Sequence, residues 1–144
     1  FKLIQEFHPI YIMMHMRGNP QTMSQLCDYE NLLDEIITYF QEKINSIDHA
    51  NVIIDPGFGF AKTSSQNFEL LQQLPKLKTL AKPILVGISR KSMIYKSLNI
   101  SSAEALNGTT ALHMAALSAG AQILRVHDVL EAKQCVTLFN LLNN

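Results

Sequence analysis

The sequence predicts an α/β protein in which strand–helix units repeat around a parallel sheet. Four short apolar runs recur along the 144 residues, and segments with helical periodicity separate them. The runs are too short for helices and do not alternate between apolar and polar residues, as expected of strands buried on both faces. Repeated βα units imply parallel strands joined by right-handed crossovers. Both an open doubly wound sheet and part of a (β/α)₈ barrel fit this pattern.

A helix is predicted before the first strand and after each strand. The predicted strands are Ile10–Met14, Val52–Ile54, Ile84–Ile88 and Ile123–Val126. Between the first two strands, an apolar stripe near the 3.6-residue period runs from Leu26 to Ile44. Between the second and third, a similar stripe runs from Phe68 to Leu74, where Pro75 stops it.

Terminal signals delimit the last two predicted helices. Ser101 and Glu104 have the S-x-x-E spacing of a capping box. The helix that they open should end just before Gly120, a residue suited to the left-handed position after a helix. Asp128 and Glu131 carry a similar signature after the fourth strand.

Composition restricts the functional classes. With 47% hydrophobic and 17% charged residues the chain is globular, and no internal linker divides residues 1–144. Twelve basic residues balance twelve acidic ones, which argues against nucleic acid as a partner. No apolar stretch reaches the roughly 18 residues of a membrane span. Cys27 and Cys135 have no metal-type spacing, and the start lacks a signal-peptide layout, so we expect a cytoplasmic protein.

Charged and polar residues follow all four predicted strands. The strand ends read MMHMRGNP, DPGFGFAK, SRKSM and RVHDV. In a barrel, the chemistry comes from the C-terminal ends of several strands, whereas the Gly-rich phosphate loops of open sheets are absent here. If strand geometry persists, Ser89 and Lys91 share one face, as do Arg125 and His127. Met14 adds a thioether wall.

These groups suit a flat, polar heterocycle that carries phosphate. Asp55 can accept two hydrogen bonds from an amidine-like edge, and Arg125 can stack on a ring or bind an oxyanion. His127 can donate to a phosphate oxygen. Gly57 and Gly59 let the backbone approach a ligand closely.

Each residue also has a structural interpretation when it is taken alone. Asp55 could cap a turn, Lys91 could be a solvated residue at a helix start, and Ser89 with His127 lacks a carboxylate partner for a triad. His15 is expected to brace its loop. The remaining histidines, read as structural or exposed, are His8, His49 and His113.

Four blocks of the sequence resemble the C-terminal half of the dihydropteroate synthase family. They are IMMHMRGNPQTM, IIDPGFGFAKT, ILVGISRKSM and ILRVHDV, and the resemblance runs from Pro9 to about Leu142. It implies a (β/α)₈ barrel of which the chain covers the units resembling 5 to 8. It also implies condensation of 6-hydroxymethyl-7,8-dihydropterin diphosphate with p-aminobenzoate, with release of pyrophosphate, by an enzyme that is commonly a homodimer.

The resemblance assigns roles to the strand-end residues. Asp55 would hold the donor edge of the pterin, and Lys91 a ring carbonyl or nitrogen. Arg125 would stack on the pterin and help His127 to hold the diphosphate. Lys91, Arg125 and His127 are therefore the predicted catalytic residues. Further predicted substrate-binding residues are Met14 in the pterin pocket, Gly59, and Phe60, Ser89, Arg90 and Ser92 near p-aminobenzoate, where sulfonamide drugs compete.

The chain departs from the family pattern in three respects, of which one is the segment INSIDHANVIIDPG before the second strand, several residues shorter than usual. Ala61 stands where the family usually has glycine. The half of the family pattern that carries the Mg²⁺-binding asparagine loop is missing, so Mg²⁺ would be bound through the substrate diphosphate and a ligand outside this chain. A half barrel leaves the strands at Ile10 and Ile123 as open edges, which predicts a fragment or a chain that needs a second half. The alternative functions are a non-catalytic fragment and a pterin-binding module such as a methyltransferase domain; SRKS and RVHDV argue against the module.

Overall fold

The structure, a computed structural model, describes residues 2–47 and 51–143, so the interpretation of His49 lies outside it. It confirms an α/β chain in which one helix precedes four strand–helix units. The elements are α1 (Lys2–Phe7), β1 (Tyr11–Met14), α2 (Leu32–Asn45), β2 (Val52–Asp55), α3 (Ser64–Gln72), β3 (Leu85–Val86), α4 (Ser92–Leu98), α5 (Leu106–Ser118), β4 (Ile123–Leu124) and α6 (Val129–Leu142). Two 3₁₀ helices, Met23–Gln25 and Leu74–Leu80, lie in the connections.

The strands are parallel and follow one another in chain order. β1 pairs with β2, β3 pairs with β4, and a bridge between Ile54 and Ile84 links the two pairs. β3 and β4 are shorter than predicted. The side chain of Gln122 accepts the N–H of Ile84 at 2.8 Å, so the ladder between β3 and β4 starts one residue later. Because all the strand pairings are parallel, the four strands end at the same edge of the sheet.

The core lies between this sheet and the helices. α2 buries Leu33, Ile36 and Phe40 at the spacing of its predicted stripe. Asn31 caps the start of this helix, because its side chain accepts a hydrogen bond from the N–H of Asp34. Leu26, predicted to belong to the same stripe, lies outside α2 and is 40% exposed. The helix α2 therefore begins at Leu32, six residues after the predicted start of its apolar stripe at Leu26.

The segment between β3 and β4 differs most from the prediction. Glu104 does accept hydrogen bonds from the N–H and Oγ of Ser101, at 2.9 and 2.7 Å. That contact closes a turn, and α5 starts only at Leu106. An unpredicted helix, α4, precedes this turn, and its C-cap residue is Asn99, whose φ is +54°. Gly120, at φ +103°, follows α5 as predicted.

Three further predictions concern the open edge of the sheet, the cysteines and the absence of a membrane span. Ile10 and Ile12 are 71% and 50% exposed, because β1 has no strand partner on its outer side within the described residues. Both cysteines are free thiols. Of the helices in residues 2–47 and 51–143, none is long and apolar enough to cross a membrane.

Candidate active site

A cavity of about 290 Å³ opens where β3 and β4 end. The residues that line it are Gly87, Ser89, Lys91, Arg125, Val126 and His127. The structure thus brings together the two pairs that strand alternation placed on common faces. A larger groove of about 690 Å³ runs along α6, but its lining is mainly apolar and includes a single charged residue, Lys133. Of these two cavities, the smaller one has the more charged lining, with Lys91 and Arg125.

Asp55 ends β2 and is buried, with 4% of its surface exposed. Its Oδ1 accepts a hydrogen bond from the N–H of Gly57 at 2.8 Å. Burial raises the pKa of Asp55, and the Gly57 N–H and the charges of Arg125, Lys91 and Lys62 oppose that rise. Met14 is the register partner of Asp55 across the β1–β2 ladder, so the two residues are neighbours where β1 and β2 end.

Lys91 lies between the cavity and the loop after β2. Its Nζ donates to the carbonyl of Phe58 and lies 4.7 Å from the centre of the Phe60 ring. Burial lowers the pKa of Lys91 to about 8, Asp55 acts in the opposite direction, and Arg125 lowers it further. A Cβ at Gly59 would lie 3.3 Å from the Lys91 chain, so the glycine gives this side chain its path across the loop.

The imidazole of His127 is held from one side. The Oγ of Ser89, which is buried, lies 3.0 Å from His127 Nδ1 and accepts from the His127 backbone N–H at 3.2 Å. This contact occupies Nδ1 and leaves Nε2 as the ring nitrogen for a ligand. Ser89, predicted to border p-aminobenzoate, therefore also positions His127.

The side chain of Arg125, the residue that follows β4, lies over Gly87, the residue that follows β3. A Cβ at Gly87 would lie 2.9 Å from both Nε and Nη2 of Arg125, so only glycine leaves room for the guanidinium in this position. The sequence analysis did not single out Gly87. The signal available in the sequence is a glycine two residues before Ser89 on a strand that is otherwise apolar.

Arg90 is engaged away from the cavity. Its guanidinium pairs with both carboxylate oxygens of Asp128 at 2.8 Å and donates to the carbonyls of Ser102 and Ala103. Asp128, predicted to open α6 by capping, uses its carboxylate for this pair and makes no capping bond. Arg90 has φ +52°, and its N–H donates to Thr109 Oγ1 at 3.0 Å. Its predicted contact with p-aminobenzoate would need this pair to be shared.

The remaining predicted residue, Ser92, is the first residue of α4 and is half-buried. Phe58 is fully buried, whereas Phe60 is half-buried and faces Lys91. Ala61, at the position where glycine was expected, has φ +49°. The backbone here is left-handed, which explains why glycine suits the position.

Lys62, to which the sequence pattern assigned no role, is 8% exposed. Its Nζ lies 3.0 Å from His15 Nδ1 and donates to the carbonyls of Gly57 and Phe60, both at 3.1 Å. His15, predicted to brace its own loop after β1, is buried with its ring edge-on to Tyr39 at 4.9 Å, and its Nδ1 contacts the loop after β2 through Lys62. Burial, followed by the charges of Lys62 and Arg17, lowers the pKa of His15 to about 3.

The described residues do not fit a resident metal ion. Nowhere in this part of the chain do three or more His, Cys, Asp or Glu side chains gather in a suitable group. The one buried carboxylate at the strand ends, Asp55, is surrounded by the cations Arg125, Lys91 and Lys62, which would repel Mg²⁺.

Comparison with known proteins identifies the family. The profile described as "Pterin binding enzyme" matches residues 1–127. The chain belongs to this family of pterin-binding enzymes. Among individual relatives, the dihydropteroate synthase of Synechocystis is 49% identical over 124 residues, which cover 82% of this chain and 43% of the relative. That of Escherichia coli is 41% identical over 129 residues, covering 86% and 46%.

Solved structures of this pterin-binding family give the same result. The chain is similar to a Yersinia pestis dihydropteroate synthase in a sulfonamide drug complex, with TM-score 0.93 and 33% identity over 99% of this chain and 54% of that one. It is also similar to the Thermus thermophilus enzyme in complex with 6HMPPP, with TM-score 0.92 and 30% identity over 99% and 59%. The chain thus spans about half the length of the relatives that it matches.

Proposed function

We propose that this chain forms the C-terminal half of a dihydropteroate synthase, corresponding to strand–helix units 5 to 8 of a (β/α)₈ barrel. The substrates would be 6-hydroxymethyl-7,8-dihydropterin diphosphate and p-aminobenzoate, and the products 7,8-dihydropteroate and pyrophosphate. The observation that carries the proposal is the convergence of one carboxylate, one ammonium, one guanidinium and one imidazole where three parallel strands end. The names of the relatives, which are dihydropteroate synthases, support this reaction within the family.

The roles proposed for these groups are those that the family resemblance implies, and the chemistry of each group supports them. Asp55 would accept hydrogen bonds from the N–H and NH₂ edge of the pterin, because Arg125 and Lys91 favour its charged form. Lys91 would leave the carbonyl of Phe58 to donate to the ring, and Arg125 would stack on the pterin from its place over Gly87. The remaining substrate-binding assignments are Met14 for the pterin, Gly59 for close approach of the backbone to a ligand, and Phe60, Ser89, Arg90 and Ser92 for p-aminobenzoate and sulfonamides.

The reaction would be a displacement at the exocyclic carbon of the pterin. The amine of p-aminobenzoate forms the new C–N bond, the C–O bond to the diphosphate breaks, and pyrophosphate leaves with the bonding electrons. Arg125 and His127 Nε2 would stabilise the negative charge that develops on the leaving group. The aromatic amine attacks as the neutral base, so the step relies on positioning rather than on a covalent intermediate.

The remaining features of the proposal concern parts outside this chain. Mg²⁺ would accompany the substrate diphosphate, with its protein ligand in the other half, since the residues here do not fit the ion. A cytoplasmic homodimer is proposed, and the apolar side chains that α6 exposes supply a surface for it. These are Val129, Leu130, Leu138, Leu141 and Leu142.

The test is enzymatic and uses a completed protein, in which this chain follows the N-terminal half of the Synechocystis dihydropteroate synthase. This completed protein should form dihydropteroate from the two substrates with Mg²⁺. It should also restore growth to bacteria that lack the enzyme. A folded completed protein that binds pterin without forming dihydropteroate would instead favour the pterin-binding module.

A further inference from the structure

The loop after β2, residues 57–62, is held by two ammonium groups. Lys91 donates to the carbonyl of Phe58, while Lys62 donates to those of Gly57 and Phe60. Three carbonyls of one short loop therefore accept from lysines. Lys91 has a role in the proposed reaction, but Lys62 is buried and contacts no predicted ligand-binding side chain. A buried ammonium is costly, so its retention needs a reason.

We propose that Lys62 is a positioning residue for Asp55 and for the cavity wall. The Gly57 peptide connects the two side chains. Its carbonyl accepts from Lys62 at 3.1 Å, and its N–H donates to Asp55 Oδ1 at 2.8 Å. Lys62 also connects the loop to the end of β1, the strand that pairs with β2, because its Nζ contacts Nδ1 of His15, the residue that follows β1. Recognition of the pterin would thus depend on a residue that does not touch it.

The backbone geometry explains why the loop needs this tie. Gly57 has φ +74°, Gly59 +78° and Ala61 +49°, so three residues in five are left-handed. Such a backbone is not self-supporting, because it forms no regular ladder or helix. The Lys62 ammonium satisfies two of the carbonyls that this conformation turns inward, and its third bond goes to the neighbouring strand.

The charge state of Lys62 makes the proposal testable. The titratable and charged groups that face Lys62 are His15, Arg17, Cys27, Asp55 and Lys91. Burial lowers the pKa of Lys62 to about 7, and Asp55 opposes that shift most strongly. His15 keeps a pKa of about 3, so its ring is neutral and Nδ1 accepts from the ammonium. Lys62 therefore loses its charge as the pH rises through neutrality.

The experiment compares the completed protein with its Lys62→Met variant, and it rests on the proposed function. The value of kcat/KM for the pterin substrate is measured from pH 6 to pH 8.5. We expect a loss of at least 10-fold at pH 6 that shrinks several-fold by pH 8.5, since the parent protein discharges Lys62 over this range. Titratable groups that do not interact with Lys62 cancel in the ratio, so the remaining pH dependence reports Lys62 and the groups that face it. Lys96→Met, which alters an exposed lysine of α4, is the matched control and should leave the ratio at one.

Each outcome decides the proposal. A ratio that stays constant across the pH range would mean a merely structural role and would overturn it, as would equal activity of the two proteins. If Lys62→Met does not fold, Lys62→Gln, which keeps an uncharged N–H donor, is used with the same two outcomes. An inactive but folded parent protein would contradict the proposed function instead, so the two failures are distinguishable.

Discussion

The change Gly87→Ala is expected to weaken ligand binding while leaving the fold intact. The added Cβ would lie 2.9 Å from Nε and Nη2 of Arg125 and 3.3 Å from its Cζ. Ordinary contact begins at 3.4 Å, so the guanidinium must retreat by about 0.5 Å or more. The Arg125 side chain is flexible and exposed, so it can move at little cost to stability. Gly87 itself is outside the left-handed region, and alanine suits its conformation.

The size of the effect follows from the role of Arg125. A hydrogen bond to a charged group contributes about 1.5–3 kcal/mol. Misplacing the guanidinium by half an ångström or more would remove most of one such bond to the diphosphate. Since about 1.4 kcal/mol corresponds to a tenfold change in Kd, binding should weaken roughly 10- to 100-fold. The free energy of unfolding should stay within about 1 kcal/mol, because replacing a glycine outside the left-handed region by alanine stabilises a protein by about 0.4–1 kcal/mol.

The assay is a calorimetric titration of the completed protein with a pterin diphosphate analogue and Mg²⁺, together with thermal unfolding. In a double-mutant cycle, Gly87→Ala should have almost no further effect on Kd when Arg125 is already alanine. A Kd within threefold of the parent value would refute the reasoning. So would equal losses in both backgrounds, because the effect would then not act through Arg125.

Three further predictions concern neighbouring contacts in the completed protein. Gly57→Ala should lower the free energy of unfolding, measured in urea, by roughly 2–4 kcal/mol. The reason is that Gly57 has φ +74° and that the added Cβ would lie 2.0 Å from the backbone carbonyl oxygen of His15. A loss below about 1 kcal/mol would contradict this prediction. His15→Asn should flatten the loss of stability between pH 6 and pH 4 by about 2 kcal/mol. Histidine has pKa 6.5 when unfolded and about 3 here, so the unfolded state alone takes up the proton as pH falls, and an unchanged slope would count against burial beside Lys62. Ser89→Ala should raise the Kd of the diphosphate analogue about fivefold, or roughly 1 kcal/mol, by freeing His127; no change would exclude the positioning role.

The parts of the fold that local patterns determine were predictable. Short continuous apolar runs differ from the 3.6-residue period of amphipathic helices, so the α/β class and the strand positions followed from the sequence, and Gly120 marked the end of α5. The start of α5 was wrong because the Ser101–Glu104 hydrogen bonds of a capping box also close an isolated turn. Asp128 is the N-cap residue of α6, as its signature predicted, but its side chain makes no capping bond because Arg90, 38 residues away along the chain, takes its carboxylate. Local signals do not report such long-range competition.

The candidate site was predictable only in part, for the same reason. Residues that follow parallel strands meet at one edge, which was enough to bring Lys91, Arg125 and His127 together. Lys62 and Gly87 act through contacts that depend on the packed structure. A lysine is rarely buried, and nothing in the residues next to Lys62 shows that three acceptors surround it. The space over Gly87 exists only when β4 lies beside β3.

The central claim is that this chain carries the pterin-recognising half of the site. The most direct measurement is a calorimetric titration of the completed protein and its Asp55→Asn variant with the pterin diphosphate analogue and Mg²⁺. Asparagine keeps the shape of Asp55 and the acceptor for the Gly57 N–H but replaces the second acceptor oxygen by a donor. We predict saturable binding by the parent protein and at least 100-fold weaker binding by a folded variant. Equal affinities would show that Asp55 does not recognise the pterin and would contradict the account.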